Sequence, residues 1–226
     1  MRTKQLVLTA LFAALTAIGA FLKIQIPVEG IPAITLQFFF TAMAGVLLGA
    51  KYGAISQAVY VLLGLVGLPI FTMGGGFSYV LQPSFGFLVG LIPSAWVIGM
   101  LCKNAKSFWP MALGILAGLA VLYLIGTPYM GLILNLYLGK GMSVWQIVRA
   151  GCLLYLPGDV LKIVVCTALC LALRSRLPAF QIRLRRKYHE QEAEHRRHLV
   201  QCYGAAAHEG RHRPSQRRAL YDLRYQ

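Results

Sequence analysis

Acidic side chains are nearly missing from the first three quarters of this 226-residue chain: of seven Asp and Glu, only Glu29 and Asp159 precede Arg174. Histidine is missing from that part altogether, since His189, His195, His198, His208 and His212 all follow it. An intramembrane protease or lipid transferase needs a paired acid, a metal cluster or an activated nucleophile. One acid in an apolar span and no histidine supply none of these, so the chain is not expected to be an enzyme. Cys102, Cys152, Cys166, Cys170 and Cys202 show no CxxC spacing. Four of them lie in or beside apolar runs and read as small packing residues rather than metal or disulfide partners. Gly74-Gly75-Gly76 is not followed by Gly-Lys-Ser/Thr, and Gly139-Lys140-Gly141 lacks the rest of a Walker A loop. No nucleotide site is expected, and any ATP belongs to another subunit.

What is present divides into two chemistries. Up to Leu173 the chain is long runs of Leu, Val, Ile, Phe, Gly and Ala, the profile of a polytopic membrane protein. From Arg174 it is polar and basic, poor in Val, Ile and Phe, and buries too little apolar surface to offset its chain entropy. The expected organisation is a membrane domain over 1–179 and a basic cytoplasmic tail over 180–226, disordered or locally helical. Thirteen of the twenty-two Lys and Arg lie from Arg174 onward, directly after the last apolar run, in a chain of net charge +15. Anionic lipid headgroups of the bilayer, rather than nucleic acid, are its expected partner. His195/His198 and His208/His212 sit in Arg-rich, solvated surroundings that promise no supporting shell for a metal.

Spans of about 20 apolar residues, with ~17 tolerated, are read at roughly 5–23, 36–50, 53–71, 85–102, 108–126 and 152–173. Met1-Arg2-Thr3-Lys4 before Leu6–Leu22 resembles a signal peptide, but further spans follow at once, so it is read as a retained first helix. Gly126-Thr127-Pro128 predicts a break, with 128–138 a half-buried connection. The connections holding Arg2, Lys4, Lys51, Lys103, Lys106, Arg174 and Arg176 are richer in cations than those holding Lys23, Lys140 and Arg149, which puts both termini in the cytoplasm. The fold class is therefore an all-α membrane protein with six transmembrane helices and cytoplasmic N and C termini. Its outer, Gly/Pro-rich loops (Lys23–Thr35, Thr72–Ser84, Thr127–Gly151) cap a ligand pocket. No internal repeat of the kind that marks rocking carriers is visible.

Asp159 and Lys162 are the only charged residues between Cys152 and Leu173. An ionisable group at membrane depth is costly without a partner or a wet cavity, and marks a functional site by default. Pro157-Gly158 predicts a helix start with Asp159 at or near the N-cap. A lysine in that first turn faces the positive helix end and calls for a negative neighbour. Asp159 is one such neighbour, in which case the pair simply braces the helix. A bound acceptor is another: an acid and an amine at this spacing suit a neutral group with both N–H and C=O, such as a cyclic urea.

Gly74 to Phe87 mixes backbone freedom, aromatic faces and polar handles, as small-ligand pockets do, although an ordinary loop with interfacial anchors reads the same way. From it Tyr79, Gln82 and Phe87 are candidate contacts, joined by Arg149 and Tyr155 ahead of the charged pair. On the first helix Ala10/Ala14 and Ala13/Ala17 repeat at i,i+4 and let another helix approach closely, within this chain or from a partner.

Several ordered motifs together resemble a known family, the biotin-specific substrate-binding component (BioY family) of energy-coupling-factor vitamin transporters. They are Thr9-Ala10-Leu11-Phe12-Ala13-Ala14-Leu15-Thr16-Ala17, Ile31-Pro32-Ala33-Ile34-Thr35-Leu36-Gln37-Phe38-Phe39 and Gly45-Val46-Leu47-Leu48-Gly49-Ala50-Lys51-Tyr52-Gly53-Ala54. Leu63-Gly64-Leu65-Val66-Gly67-Leu68-Pro69-Ile70-Phe71, Gln82-Pro83-Ser84-Phe85-Gly86-Phe87-Leu88 and Leu156-Pro157-Gly158-Asp159-Val160-Leu161-Lys162 complete the set. The likeness covers Lys4 to Ala179 and leaves the tail from Arg183 unexplained. It implies a six-helix S-component in a prokaryotic plasma membrane that captures biotin from outside. Delivery then follows docking on a transmembrane coupling subunit driven by two ATPase subunits. Biotin is the transported ligand and no cofactor is implied. The resemblance places ligand contacts on Asp159 and Lys162, and the subunit-docking strip on Ala10/Ala14 or Ala13/Ala17. Biotin's carboxylate would fall to Arg149, Gln82 or backbone amides. A proton-coupled carrier working alone, with Asp159 cycling its proton, is the rival expectation.

Overall fold

The computed structural model describes residues 3–24 and 32–176. The expectations for Glu29, for the tail over 180–226 and for Cys202 lie outside the described residues. The chain divides into Met1–Leu173 and Arg174–Gln226, and the elements that follow belong to the first unit, apart from the last turn of its final helix.

Helix α1 (Thr3–Phe21) buries Thr9, Phe12, Ala13, Thr16, Gly19 and Ala20, a stripe at three- and four-residue spacing along one face. Beyond it a two-stranded antiparallel ribbon, β1 (Lys23–Ile24) and β2 (Ile34–Thr35), sets Lys23 opposite Thr35.

Helix α2 (Gln37–Leu65) consists of two helical arms that meet at a kink. Gln37 Nε2 donates to Tyr60 OH at 2.7 Å and Thr41 Oγ1 donates to Gln57 Oε1 at 3.0 Å. In a straight helix, at about 1.5 Å per residue, these partners would stand more than ~20 Å apart. The chain doubles back at Gly49, whose φ of 81° and ψ of 175° are not helical and lie where only glycine is at ease. The segments expected at 36–50 and 53–71 are thus the two arms of a hairpin, the second ending at Leu65 rather than 71. Between the arms and α1 runs a buried polar seam in which Thr16, Thr41, Ser56 and Gln57 are wholly inaccessible. Gln57 Nε2 donates to Thr16 Oγ1 at 3.2 Å, joining α1 to α2. Between apolar helices in lipid, such bonds supply specific adhesion that hydrophobic burial cannot, about 0.6 kcal/mol each.

Helix α3 (Phe85–Leu101) packs between α2 and α4 (Phe108–Leu132). The expected break at Gly126-Thr127-Pro128 does not occur. Helix α4 passes through Pro128 and continues as a π-helical turn to Tyr137. Two contacts override the local signal. A side chain at Gly126 would lie 2.3 Å from the Phe87 ring, so glycine here serves close packing. Met130 and Leu134 bury themselves against Ile147 and Ala150, which gives 128–138 an inward face worth keeping helical. Backbone freed by proline inside a membrane helix is tolerated where neighbours and local π adjustments re-satisfy it.

A short helix α5 (Val144–Val148), capped by Ser143 and Gln146, and a π turn over Arg149–Leu153 lead into α6 (Leu156–Arg176). Helix α6 starts at Leu156, so Asp159 lies inside the first turn with its N–H bonded to Tyr155 O at 2.9 Å, not at the N-cap. Proline is well placed this early, where its missing N–H would have had no helical partner. Asp159, Ile163, Cys166 and Cys170 form the buried face of α6, whereas Val160, Leu161, Val164, Val165 and Leu169 are exposed. Among the described residues five helices are long and apolar enough to cross a membrane, α2 being one of them and 144–174 together another.

Candidate functional site

The start of α6 carries an acid, Asp159, on the buried face of that helix, and three neighbours complete its surroundings. Asp159 is buried, 5% exposed. Its Oδ1 accepts from Lys162 Nζ at 2.7 Å, and its Oδ2 accepts from the Tyr123 hydroxyl of α4. Tyr155, in the turn before α6, donates its hydroxyl to the carbonyl of Pro32 and so ties the helix start to the segment leading into β2.

These side chains face a cavity of ≈ 630 Å³, including the part open to solvent. The apolar wall comes from Phe38 on α2, Phe87, Leu88 and Leu91 on α3, and Leu122 on α4. The polar groups are Thr35, Gln37, Thr72, Ser84, Tyr123, Tyr155, Asp159 and Lys162. Gln37 is held in place, because its Oε1 accepts from Thr35 and its Nε2 donates to Tyr60, whose hydroxyl in turn donates to Ile70 O.

The charged pair is an ion pair, and it also lines the cavity. A carboxylate offers about four lone-pair positions, of which two are taken by Tyr123 and Lys162. An ammonium has three donors, of which one is used. An acceptor and a donor, side by side and largely desolvated, remain available to a guest with N–H and C=O on one edge.

Of the residues singled out from sequence, Asp159, Lys162, Phe87 and Tyr155 are brought together around the cavity. Tyr79 is buried in the core, its ring tilted at 55° to that of Phe71 with centroids 4.7 Å apart, and Ser84 of the lining donates to its hydroxyl at 3.1 Å. Gln82 and Arg149 are exposed and do not line the cavity. Gln82 ends the 3₁₀ turn Phe77–Leu81, and Arg149 opens the π turn after α5. Tyr123, Gln37 and Thr35 were not singled out. Their signal was a lone polar side chain within or beside an apolar run. On α1, Ala10 and Ala14 are exposed, Ala17 is half-buried and Ala13 is buried. Among the described residues no group of three or more His, Cys, Asp or Glu converges as a metal site would need.

Comparison with known proteins agrees over the membrane part. The BioY family model matches residues 1–179. A protein described as a probable biotin transporter BioY, from Lysinibacillus sphaericus, is 44% identical over 179 residues, covering 78% of this chain and 85% of that relative. The biotin transporter BioY of Thermotoga maritima is 36% identical over 173 residues, covering 76% of this chain and 96% of its own. The solved S-component for biotin from an ECF-type ABC transporter superposes with a TM-score of 0.67 at 27% identity, covering 77% of this chain and 92% of that one.

Proposed function

The chain belongs to the BioY family, and from that premise we propose how it takes up biotin as the S subunit of an ECF-type transporter. Biotin carries a cyclic urea, an apolar fused sulfur ring and an aliphatic acid. The carrying observation is the Asp159–Lys162 pair at the wall of a largely apolar cavity. Asp159 accepts a ureido N–H, Lys162 donates to the ureido oxygen, and Phe38, Phe87, Leu88, Leu91 and Leu122 hold the rings. Tyr123 fixes the carboxylate's second oxygen and so orients the first. No step of binding calls for a cofactor.

The finer architecture belongs to the same proposal. The two arms of α2 count as separate membrane segments, giving six, supported by the fold-back at Gly49. Both termini face the cytoplasm of a prokaryotic cell, supported by the Lys/Arg bias. The outer loops close over the cavity. Ala10 and Ala14, on the outward face of α1, form the strip for a transmembrane coupling subunit, itself driven by two ATPase subunits.

Two measurements bear on this reading. Titration of the detergent-purified chain against a panel of vitamins is expected to show tight retention of biotin without nucleotide. Retention of another vitamin in its place would contradict it. Tyr123→Phe removes one donor from a buried carboxylate, a change worth about 1.5–3 kcal/mol where the acceptor is charged. Biotin affinity should fall roughly tenfold or more. Unchanged affinity would remove Tyr123 from the site.

A further inference from the structure

The cavity wall as described carries no net charge. Lys162 is its only cation among the described residues, and Asp159 neutralises it. Biotin's aliphatic acid is ionised at neutral pH and arrives with a full negative charge. A counter-charge is therefore missing from the wall, and the candidates named from sequence do not supply it, since Arg149 and Gln82 do not line the cavity.

Lys23 is placed to do so. In the β1–β2 ribbon it stands directly opposite Thr35. Directly opposed residues of an antiparallel pair project their side chains to the same face, and Thr35 lines the cavity. The ammonium of Lys23 donates to the backbone carbonyl of Thr72, a second lining residue, in the loop between α2 and α3. Register and hydrogen bond together bracket the ammonium at the rim, between Thr35 and Thr72. Only one of its three donors is used by that bond. Its partner there is a neutral carbonyl, and among the described residues no acid pairs with it.

We propose that Lys23 binds the carboxylate of the ligand at the cavity rim, while Asp159 and Lys162 hold the opposite, ureido end. This rests on the biotin reading of the site and adds the residue that reads the acid tail. The same contact has a second consequence. Lys23 already joins the ribbon to the α2–α3 loop through Thr72, so a bound carboxylate ties both to the guest at once.

The test is titration of the full-length purified chain with biotin and with biotinamide, whose tail is neutral, in wild type, K23Q and K23R. A charge-assisted bond at an exposed rim is screened by salt, so the effect is bounded. Wild type is expected to favour biotin over biotinamide by about tenfold, K23Q to bind the two within about twofold, and K23R to keep most of the preference. Biotinamide affinity should be the same in wild type and K23Q. A preference that survives K23Q intact overturns the assignment and leaves the biotin reading standing. Equal losses of both ligands in K23Q overturn it as well, by showing a merely structural strap. A wild-type chain that retains neither ligand overturns the biotin reading itself, and the Lys23 assignment with it.

Discussion

Asp159→Asn is expected to weaken biotin retention by about tenfold to a hundredfold while the purified chain stays folded. Asn keeps the size and one acceptor oxygen, so Tyr123 and Lys162 retain a partner in the empty protein. What goes is the charge. A ureido N–H then meets an amide rather than a carboxylate, and the Lys162 ammonium sits in a largely desolvated place without its counter-ion. Hydrogen bonds to charged groups contribute roughly 1.5–3 kcal/mol, whereas the unpaired ammonium costs the chain the same with or without biotin. At about 1.4 kcal/mol per tenfold, the first figure places the loss at about one to two decades. Lys162→Ala should do likewise, from the donor side. Titration calorimetry reads both, and unchanged affinity in both variants would remove the pair from the site. Uptake into vesicles holding only this chain addresses the rival carrier: accumulation driven by a proton gradient would favour Asp159 as a proton-cycling group.

A different kind of loss is expected on the exposed face of α1. Ala14→Trp should abolish biotin uptake in cells that carry the coupling module, lowering it at least about tenfold, yet leave biotin binding by the purified chain within about twofold. Small residues at i,i+4 let membrane helices approach until their backbones nearly touch, and a bulky indole in that strip holds the partner off. Ala14 and Ala10 are exposed, so Trp at either meets lipid in the isolated protein and nothing inside it moves. Ala13 is different. It is 4% exposed, and a large side chain there would disrupt the core and confound the two readouts. Uptake that survives Trp at both Ala10 and Ala14 would place the docking surface elsewhere.

The sequence announced the charged pair because an acid and an amine in an apolar run mark a site by default, with bracing of the helix as the alternative. It announced the hairpin of α2 through Lys51-Tyr52 between two apolar runs, although the turn itself sits at Gly49, a position that only a backbone angle reveals. Local signals misled where packing outweighed them. Pro128 looked like the end of a helix, but Met130 and Leu134 have a partner surface on the α5 segment, and that burial keeps the backbone helical. Gln82 and Arg149 were chosen for their chemistry near the right elements, whereas which side of a turn a side chain leaves from is decided by tertiary geometry. Tyr123 and Gln37 went unmarked for the converse reason. A single polar residue on a membrane helix is common, and only its distance to Asp159 or to Tyr60 separates a site residue from an ordinary one.

The most direct test is an experimental structure of the full-length chain loaded with biotin. A ureido N–H within about 3 Å of an Asp159 carboxylate oxygen, with Lys162 Nζ donating to the ureido oxygen, is the expected arrangement. Biotin seated elsewhere, with Asp159 still held by Tyr123 and Lys162 and neither charged side chain touching the ligand, would contradict it.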